Sequence, residues 1–323
     1  VQESLDYWTK AYELALVPTY DKKGKAKYDT KTPKSILPKV VEYFQFQPLI
    51  IAGFSAYENN DPSTAYDLFM AHCNIPDMKL MQDNPEDLAK LLRDSSFYTC
   101  VYSAGRFAYE AQRYEEAIAT LQRMNSDHAK ANALPKEVVF ANEYIYQIYI
   151  EQKDTVNAVE FIKGCINQFP NEPWFMQNLI NLYINSGQED KAIEYLDIAI
   201  EREPNVGQYY NSKGSILARI GRFDESFAAF AKAIELEPNN ALFLESLGFA
   251  YVDLGNKLNE DATYLDNKAY AKAKVEIDAA YKNALPYFEK AYELEPDNES
   301  FKHSLRSLYY RLGMNDKYEA LAD

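Results

Sequence analysis

Three prolines of this chain recur with a constant spacing, and this period constrains the fold more than any other feature. Pro170, Pro204 and Pro238 lie 34 residues apart, and each follows an apolar, helix-like run. A period of this length is typical of repeat proteins, in which each unit packs mainly on its neighbours. The sequence therefore predicts repeated helical units. Small residues recur twelve and five positions before the prolines, at Ala158, Ala192 and Ser226, and at Cys165, Ala199 and Ala233.

The best copy of the unit covers residues 207–240. Its characteristic residues are Tyr210, Gly214, Gly221, Phe223, Ser226, Phe230, Ala233 and Pro238. This pattern resembles the tetratricopeptide repeat, a pair of antiparallel helices. The resemblance implies an all-α fold, a right-handed alpha-alpha superhelix (TPR solenoid). Within each unit the two helices are expected to cross closely where a small side chain faces the partner helix, and the proline ends the second helix.

The repeat register extends over nearly the whole chain and predicts a single solenoid for residues 1–323. Leu5–Leu14 (LDYWTKAYEL) is identical at seven of ten positions to Leu285–Leu294 (LPYFEKAYEL), the closing helix of a later unit. We therefore expect the chain to begin midway through a unit, with at least one more helix upstream. The predicted units are residues 4–18 (half), 46–79, 98–131, 139–172, 173–206, 207–240, 241–298 and 299–323 (cap).

Three segments do not fit the period. Tyr20 to Lys39 contains seven lysines, and we expect either a solvated loop or a docking patch for an acidic partner or an anionic membrane surface. In the second segment, Asn84 and Pro85 predict a helix start that lengthens the next unit's first helix. The third is an insertion near residues 257–280, expected to be a helical extension that packs on the chain or serves as a partner-binding arm.

Proline also predicts a helix end near the insertion. Asn283 and Pro286 precede the closing helix of the sixth unit. Because proline removes a helical hydrogen bond and clashes with the preceding turn, these residues predict a break or kink before that helix.

Composition narrows the classes of partner. The net charge of −15, from 49 acidic and 34 basic residues, opposes binding to phosphate backbones, so we expect no nucleic acid partner. No apolar run reaches the roughly 18 residues of a membrane helix, so we expect a soluble chain without a transmembrane segment. The three cysteines show no metal or redox spacing and are expected to be buried thiols. The compartment stays open between cytoplasmic and bacterial periplasmic or exported, and so does the oligomeric state.

Catalytic candidates are few. His72, His128 and His303 do not pair with a second ligand at metal-binding spacing. The sequence contains no phosphate-binding glycine loop, nucleophile elbow or Cys-x-x-Cys. We therefore predict a protein that is not an enzyme, with no catalytic residue, cofactor or metal site.

The resemblance, and not the period itself, implies where a partner binds. In this family the first helix of each unit lines a concave face through slots 2, 5, 9, 12 and 13. The chaperone-binding members grip a terminal carboxylate with Lys and Arg in such slots, and we exclude that mode because the Lys slots here hold Tyr102, Glu143, Trp174 and Gln208. The predicted partner-binding residues are Arg106, Tyr109, Phe140, Gln147, Trp174, Gln177, Asn181, Asn185, Asn211 and Arg219.

Four of these residues form what we call the amide stripe: Gln177, Asn181, Asn185 and Asn211. A side-chain amide donates and accepts hydrogen bonds at once, so such a stripe can hold a peptide backbone. Tyr109, Phe140 and Trp174 supply apolar anchors. Acidic residues outnumber basic ones in the groove slots, so a bound peptide is expected to be neutral or basic.

We therefore predict a non-catalytic protein–protein interaction scaffold or adaptor that binds an extended peptide or partner protein in the concave groove. Two alternatives stay open. One is a receptor for a small molecule or glycan in an aromatic-rich groove, because tyrosine and tryptophan can stack on sugar rings. The other is the regulatory repeat region of a larger enzyme.

Overall fold

A computed structural model describes residues 2–321, and the chain is an all-α helical repeat solenoid, as the sequence predicts. It divides into two compact units, the first ending at Phe175 and the second beginning at Met176. Besides helices, the described residues contain one small antiparallel hairpin, in which β1 (Thr19–Tyr20) pairs with β2 (Ala26–Lys27).

The helices of the first unit are mostly short amphipathic pairs. They are α1 (Gln2–Leu16), α2 (Lys31–Phe46), α3 (Pro48–Glu58), α4 (Pro62–Cys73), α5 (Lys79–Gln82), α6 (Pro85–Leu91), α7 (Ser95–Glu110), α8 (Tyr114–Gln122), α9 (Asp127–Asn132), α10 (Pro135–Glu151) and α11 (Thr155–Gln168). Single 3₁₀ turns lie at Ile75–Asp77 and Arg123–Asn125.

The second unit contains the longest helices of the chain. Its first helix, α12 (Pro173–Asn185), begins three residues before the unit boundary at Met176. The other helices are α13 (Glu189–Arg202), α14 (Gly207–Arg219), α15 (Phe223–Leu236), α16 (Ala241–Asp261), α17 (Asn267–Leu294), α18 (Glu299–Arg311) and α19 (Asn315–Ala320).

Tight turns join the two helices of most pairs through one residue with positive φ. In three of these turns the residue with positive φ is glycine, but other turns use residues with a side chain, such as Lys153 with φ +58° and Gln112 with φ +59°. A positive φ lets the chain reverse within two or three residues, and it is unfavourable for residues with a Cβ. The residues with positive φ in these turns within pairs are Asn60, Gln112, Lys153, Gly187, Gly221 and Gly313.

The close helix crossing predicted at small residues is confirmed. Gly214 is buried, and a Cβ added there would lie 2.9 Å from the ring of Phe230 on the partner helix. Gly248 makes the same approach to Phe288, again at 2.9 Å. The missing side chain lets an aromatic ring lie against the backbone of the first helix, and this contact forms the core of each pair.

The lysine-rich segment is not a loop throughout. Its first part forms the β1–β2 hairpin, but Lys31 begins helix α2, which continues to Phe46. Ile36 and Val40 are buried on one side of this helix. The spacing of four residues between them is helical, and it specifies a packed face that the many lysines obscure.

Two further helix predictions are wrong in detail. Pro85 does begin a helix, but α6 ends at Leu91 and α7 begins separately at Ser95, with Asp94 as its N-cap. Of the two outcomes predicted near Pro286, a break or a kink, the break does not occur, because α17 continues as one helix through that residue. Among the helices described, none combines the length and apolar character that crossing a bilayer requires.

Candidate functional site

An aromatic cleft opens in the first unit between the first helices of neighbouring pairs. It has a volume of about 350 Å³, and Phe140 at its edge is 42% exposed. The lining comes from α7, α10 and the start of α12. We call this site the aromatic cleft, and its residues are Tyr102, Phe140, Glu143, Tyr144, Gln147 and Trp174.

Three predicted residues meet in this cleft: Phe140, Gln147 and Trp174. The Trp174 ring packs edge-on against Tyr146, with centroids 5.6 Å apart. This edge-to-face contact with the buried Tyr146 ring holds Trp174 in place as one wall of the cleft. Tyr102 and Tyr144 form another part of the wall, with ring centroids 6.3 Å apart.

Glu143 gives the aromatic cleft its charge. Burial raises the pKa of its carboxyl group, and the nearby Glu172 carboxylate raises it further. Burial also raises the pKa of the Tyr102 hydroxyl to about 12, so that ring stays neutral at physiological pH. A partly desolvated carboxylate beside a like charge is stabilised by any cation that approaches it.

Tyr109 lies on α7 but is not part of the cleft lining. Its hydroxyl donates to Glu151 Oε1 over 2.5 Å, and the Tyr114 hydroxyl donates to Glu151 Oε2 over 2.9 Å. Gln147 Nε2 also donates to Glu151 Oε1, at 3.3 Å. These hydrogen bonds, that of Tyr109 first, lower the pKa of Glu151. Glu151 is therefore an internally satisfied carboxylate, unlike Glu143.

The Arg106 side chain also contacts other residues of the first unit. Its Nε lies 3.4 Å from Glu110 Oε1, and its guanidinium lies over the rings of Tyr57 and Phe107, 6.0 and 5.6 Å from their centroids. A ligand carboxylate would have to compete with Glu110 for this group. Arg106 is therefore better placed to brace the face than to attract an anion.

The amide stripe lies in the second unit. Gln177, Asn181 and Asn185 are exposed on α12 and form no side-chain hydrogen bond with the described residues. Asn211 on α14 is partly buried, and its Oδ1 has no hydrogen-bond partner among them. The predicted Arg219 is already paired, because its Nη2 lies 3.2 Å from Glu189 Oε1.

A second cleft, of about 630 Å³, lies near the end of the second unit. Arg311 is held there by Asn256 and Tyr281, and its Nη1 donates to the Tyr281 hydroxyl over 2.7 Å. We call this site the C-terminal cleft, and its residues are Phe249, Val252, Phe288, His303, Ser304, Ser307, Leu308, Tyr310, Arg311 and Tyr318.

The C-terminal cleft was not among the predicted sites. The sequence does contain a signal for it, because the same slots applied to residues 299–323 select Ser300, His303, Ser307, Tyr310 and Arg311, and the last four of these line the cleft. The predicted role of this unit as a cap does not include a binding face.

The structure also locates the cysteines. Cys73, Cys100 and Cys165 are free and buried, as the sequence predicts. Burial raises the pKa of Cys100 and of Cys165 to about 12, so these thiols stay protonated at neutral pH. Within residues 2–321 no group of three or more His, Cys, Asp or Glu side chains could hold a metal ion.

Two family models match the central part of the chain. One, described as a tetratricopeptide repeat, matches residues 149–216, and the other, described as a TPR repeat, matches residues 214–255. No curated protein matches the sequence.

Several solved structures are similar to the chain. YrrB, described as a TPR protein with an unusual peptide-binding site, is 18% identical, with 68% of this chain and 96% of that chain covered and a TM-score of 0.40. A TPR repeats protein from Bacteroides fragilis is 17% identical, with 81% and 97% covered and a TM-score of 0.39. MamA from Desulfovibrio magneticus is 17% identical, with 56% and 87% covered and a TM-score of 0.40.

Proposed function

We propose that this chain, a tetratricopeptide repeat protein and a protein–protein interaction scaffold, binds an extended neutral or basic segment of a partner protein through the first helices of its repeats. The family is generally non-catalytic. The proposal places one anchor point in the aromatic cleft and another contact along the amide stripe, each within its own compact unit.

The observation that carries the proposal is Glu143 inside an aromatic wall. Its carboxylate is partly desolvated and lies near Glu172, and it forms no ion pair with the described residues. A lysine or arginine side chain of a ligand would relieve this electrostatic cost, while its neighbour fills the space between Phe140 and Trp174. A cleft of about 350 Å³ lies at the lower end of the range of ligand pockets and accommodates one or two side chains.

The amide stripe supports binding of an extended backbone. Gln177, Asn181 and Asn185 present unused donors and acceptors at a spacing of four residues along α12. The Oδ1 of Asn211 is buried and has no partner among the described residues, so rotation of this side chain towards a ligand N–H would relieve the cost of leaving the acceptor unpaired. Backbone recognition of this kind does not depend on the ligand sequence.

The C-terminal cleft favours a second candidate, a small-molecule ligand. Its volume of about 630 Å³ falls in the range of ligand pockets, and its walls are mainly apolar with a few polar groups such as His303 and Ser307. Nucleic acid is a poor candidate for either cleft, because the chain carries a net charge of −15.

The proposal can be tested with a library of random linear peptides displayed on phage and selected on the immobilised chain. We expect the enriched peptides to carry Lys or Arg beside an aromatic or aliphatic residue. The affinity of one enriched peptide, made synthetically with a fluorescent label, is then measured by anisotropy. Phe140→Ala should weaken it by about 30-fold, the loss of one anchor residue, and Glu143→Gln by at least about tenfold.

Matched variants on α11 separate binding from general effects. Val156 and Glu160 are exposed on that helix, so Val156→Ala and Glu160→Gln make similar changes away from the cleft and should leave the affinity unchanged. For the stripe, Asn181→Ala with Asn211→Ala is compared with Asn171→Ala plus Asn205→Ala in exposed turns. Enrichment of acidic peptides, or equal affinities for all these variants, would rule out the proposed mode of binding.

A further inference from the structure

An exposed hairpin concentrates positive charge in this acidic chain. We define the basic hairpin as residues 19–28, which contain β1, β2 and the turn between them. Asp21 Oδ1 accepts the backbone N–H of Lys23 at 2.8 Å and that of Lys25 at 3.0 Å, and Gly24 has φ +77°. The Asp21 carboxylate therefore stabilises the turn, and it does so by accepting backbone hydrogen bonds and not by pairing with a lysine side chain.

The lysines of this region form no ion pair with an acidic side chain in the part of the chain that the structure describes. The segment from Tyr20 to Lys39 contains seven lysines and two aspartates, a net charge of +5 in a chain of net charge −15. The second aspartate, Asp29, accepts the backbone N–H groups of Lys31 and Thr32 at the start of α2. The lysines are exposed and form no ion pair with the described residues, and they are Lys22, Lys23, Lys25, Lys27, Lys31, Lys34 and Lys39.

Apolar side chains are exposed beside these lysines. Tyr20 is 69% exposed and Tyr28 is 62% exposed, and Val17 just before β1 is 61% exposed. Tyr20 pairs with Ala26 across the hairpin, while Thr19 pairs with Lys27. Because successive residues of a strand face opposite sides, the hairpin presents an apolar side with Tyr20 and a basic side with Lys27.

We propose that the basic hairpin docks on the surface of an anionic lipid bilayer. The hairpin lysines lie both in the turn and on one side of the strands, so they do not form a pocket for one acidic side chain. A bilayer of anionic lipids supplies acceptors over a continuous plane, and each nearby lysine contributes to the attraction. Tyrosines prefer the interface between headgroups and acyl chains, which suits the exposed Tyr20 and Tyr28.

The acidic charge of the rest of the chain does not prevent this contact. Interactions between exposed charges are largely screened beyond about 10 Å at moderate ionic strength. The hairpin lysines are all exposed, so they lie within that distance of the headgroups when the hairpin contacts the bilayer, and carboxylates farther away than this contribute little. The attraction is therefore local, and it should weaken as salt is added.

The test is flotation of the purified chain with vesicles of phosphatidylcholine alone or of equimolar phosphatidylcholine and phosphatidylglycerol. We expect flotation with the anionic vesicles and loss of it at high salt. Reversal of the four hairpin charges should reduce the partition coefficient at least about 100-fold, because each lysine near the surface contributes roughly fivefold. The variant carries Lys22→Glu, Lys23→Glu, Lys25→Glu and Lys27→Glu.

A control variant reverses four lysines elsewhere that are exposed and form no ion pair with the described residues, so it has the same net charge as the hairpin variant. It carries Lys130→Glu, Lys136→Glu, Lys268→Glu and Lys272→Glu, and it should keep its partition coefficient within about threefold because those sites lie outside the contact. An equal loss in both variants, or equal flotation with neutral and anionic vesicles, would overturn the proposal.

Substitution of the two tyrosines distinguishes docking on a bilayer from binding to an acidic protein partner. Tyr20→Ser with Tyr28→Ser should reduce the partition into anionic vesicles about tenfold, since two interfacial side chains are lost, and it should not change binding to soluble poly-L-glutamate. If this variant keeps full vesicle binding while the wild type binds poly-L-glutamate as strongly as it binds vesicles, the hairpin recognises acidic polymers and the lipid proposal is wrong.

Discussion

The hydroxyl of Ser226 donates a hydrogen bond of 2.8 Å to the carbonyl oxygen of Gly214, across the interface between α15 and α14. Both residues are buried, and Phe230 lies over Gly214 one turn further along α15. Because a Cβ at residue 214 would lie 2.9 Å from that ring, Gly214→Ala should destabilise the chain by about 2 kcal/mol. Ser226→Ala should cost about 1 kcal/mol, the net value of one hydrogen bond. Urea unfolding followed by circular dichroism measures both.

Gly164 provides the control for this prediction. It lies on the exposed side of α11, and no atom lies within 4 Å of an added Cβ. Gly164→Ala should therefore stabilise the chain by about 1 kcal/mol, since alanine is the better helix former. If both glycine variants shift stability in the same direction, close helix packing at Gly214 is not the cause.

The sequence predicted the packing of helix pairs well because that packing depends on the size of single side chains. A small residue at 214 and an aromatic one at 230 are visible in the sequence. The positive φ of Lys153 is not, since neither its type nor its neighbours indicate a left-handed turn. The continuity of α17 was also hidden, because Ala284 and Phe288 are buried on both sides of Pro286 and their packing offsets the cost of the proline.

The candidate site was less predictable than the fold. Family slots selected residues on the first helices of the pairs, but they could not show which side chains already form contacts within the chain. Arg219 is paired with Glu189, whereas Asn181 has no partner among the described residues. Such pairing depends on distances between different helices, and the repeat period does not specify them.

His72 makes the stability of the chain sensitive to pH. The residue is fully buried on α4, and burial lowers the pKa of its imidazole to about 4, from an ordinary 6.5. The unfolded chain therefore binds the proton more readily, and stability is complete above pH 6.5 and is lost as pH falls from there towards 4. Lowering the pH from about 7 to about 5 should cost about 2 kcal/mol at this residue.

The measurement is chemical unfolding at both pH values for the wild type and for His72→Leu. The substitution should remove about 2 kcal/mol of the pH-dependent change, whatever its effect on stability at neutral pH. His128 is exposed, so His128→Leu should keep the wild-type difference. A His72→Leu variant with unchanged pH dependence would assign that dependence to other groups.

Arg113 connects two helix pairs of the first unit. Its Nη1 donates to Asp67 Oδ1 at 2.7 Å, its Nη2 donates to Glu116 Oε1 at 2.7 Å, and its guanidinium lies 4.3 Å from the ring centroid of Tyr66. A planar group that binds two carboxylates and stacks on a ring is worth more than an isolated surface ion pair. Arg113→Ala should destabilise the chain by about 1–2 kcal/mol.

Arg222 serves as the matched comparison, because it precedes α15 as Arg113 precedes α8. It binds Glu225, but its second partner Asp190 is 3.7 Å away with a side chain that is 91% exposed. Solvent screens such a pair, so Arg222→Ala should cost less than about 0.5 kcal/mol. Unfolding curves that give equal losses for the two arginines would show that stacking and the link between helices contribute nothing.

The turn residues with positive φ offer a route to a more stable chain. Lys153 has φ +58° and is exposed, so Lys153→Gly should stabilise the chain by about 0.5–1 kcal/mol, because glycine adopts this conformation without a steric cost. Gly221 has φ +80° with no atom within 4 Å of an added Cβ, so Gly221→Ala should destabilise by about 1 kcal/mol through the backbone alone. Asn60 tolerates the left-handed region, and Asn60→Gly should change stability by less than about 0.5 kcal/mol. Thermal and urea unfolding of the three variants would show this order, and a destabilised Lys153→Gly would mean that the lysine side chain compensates for the strain of its backbone.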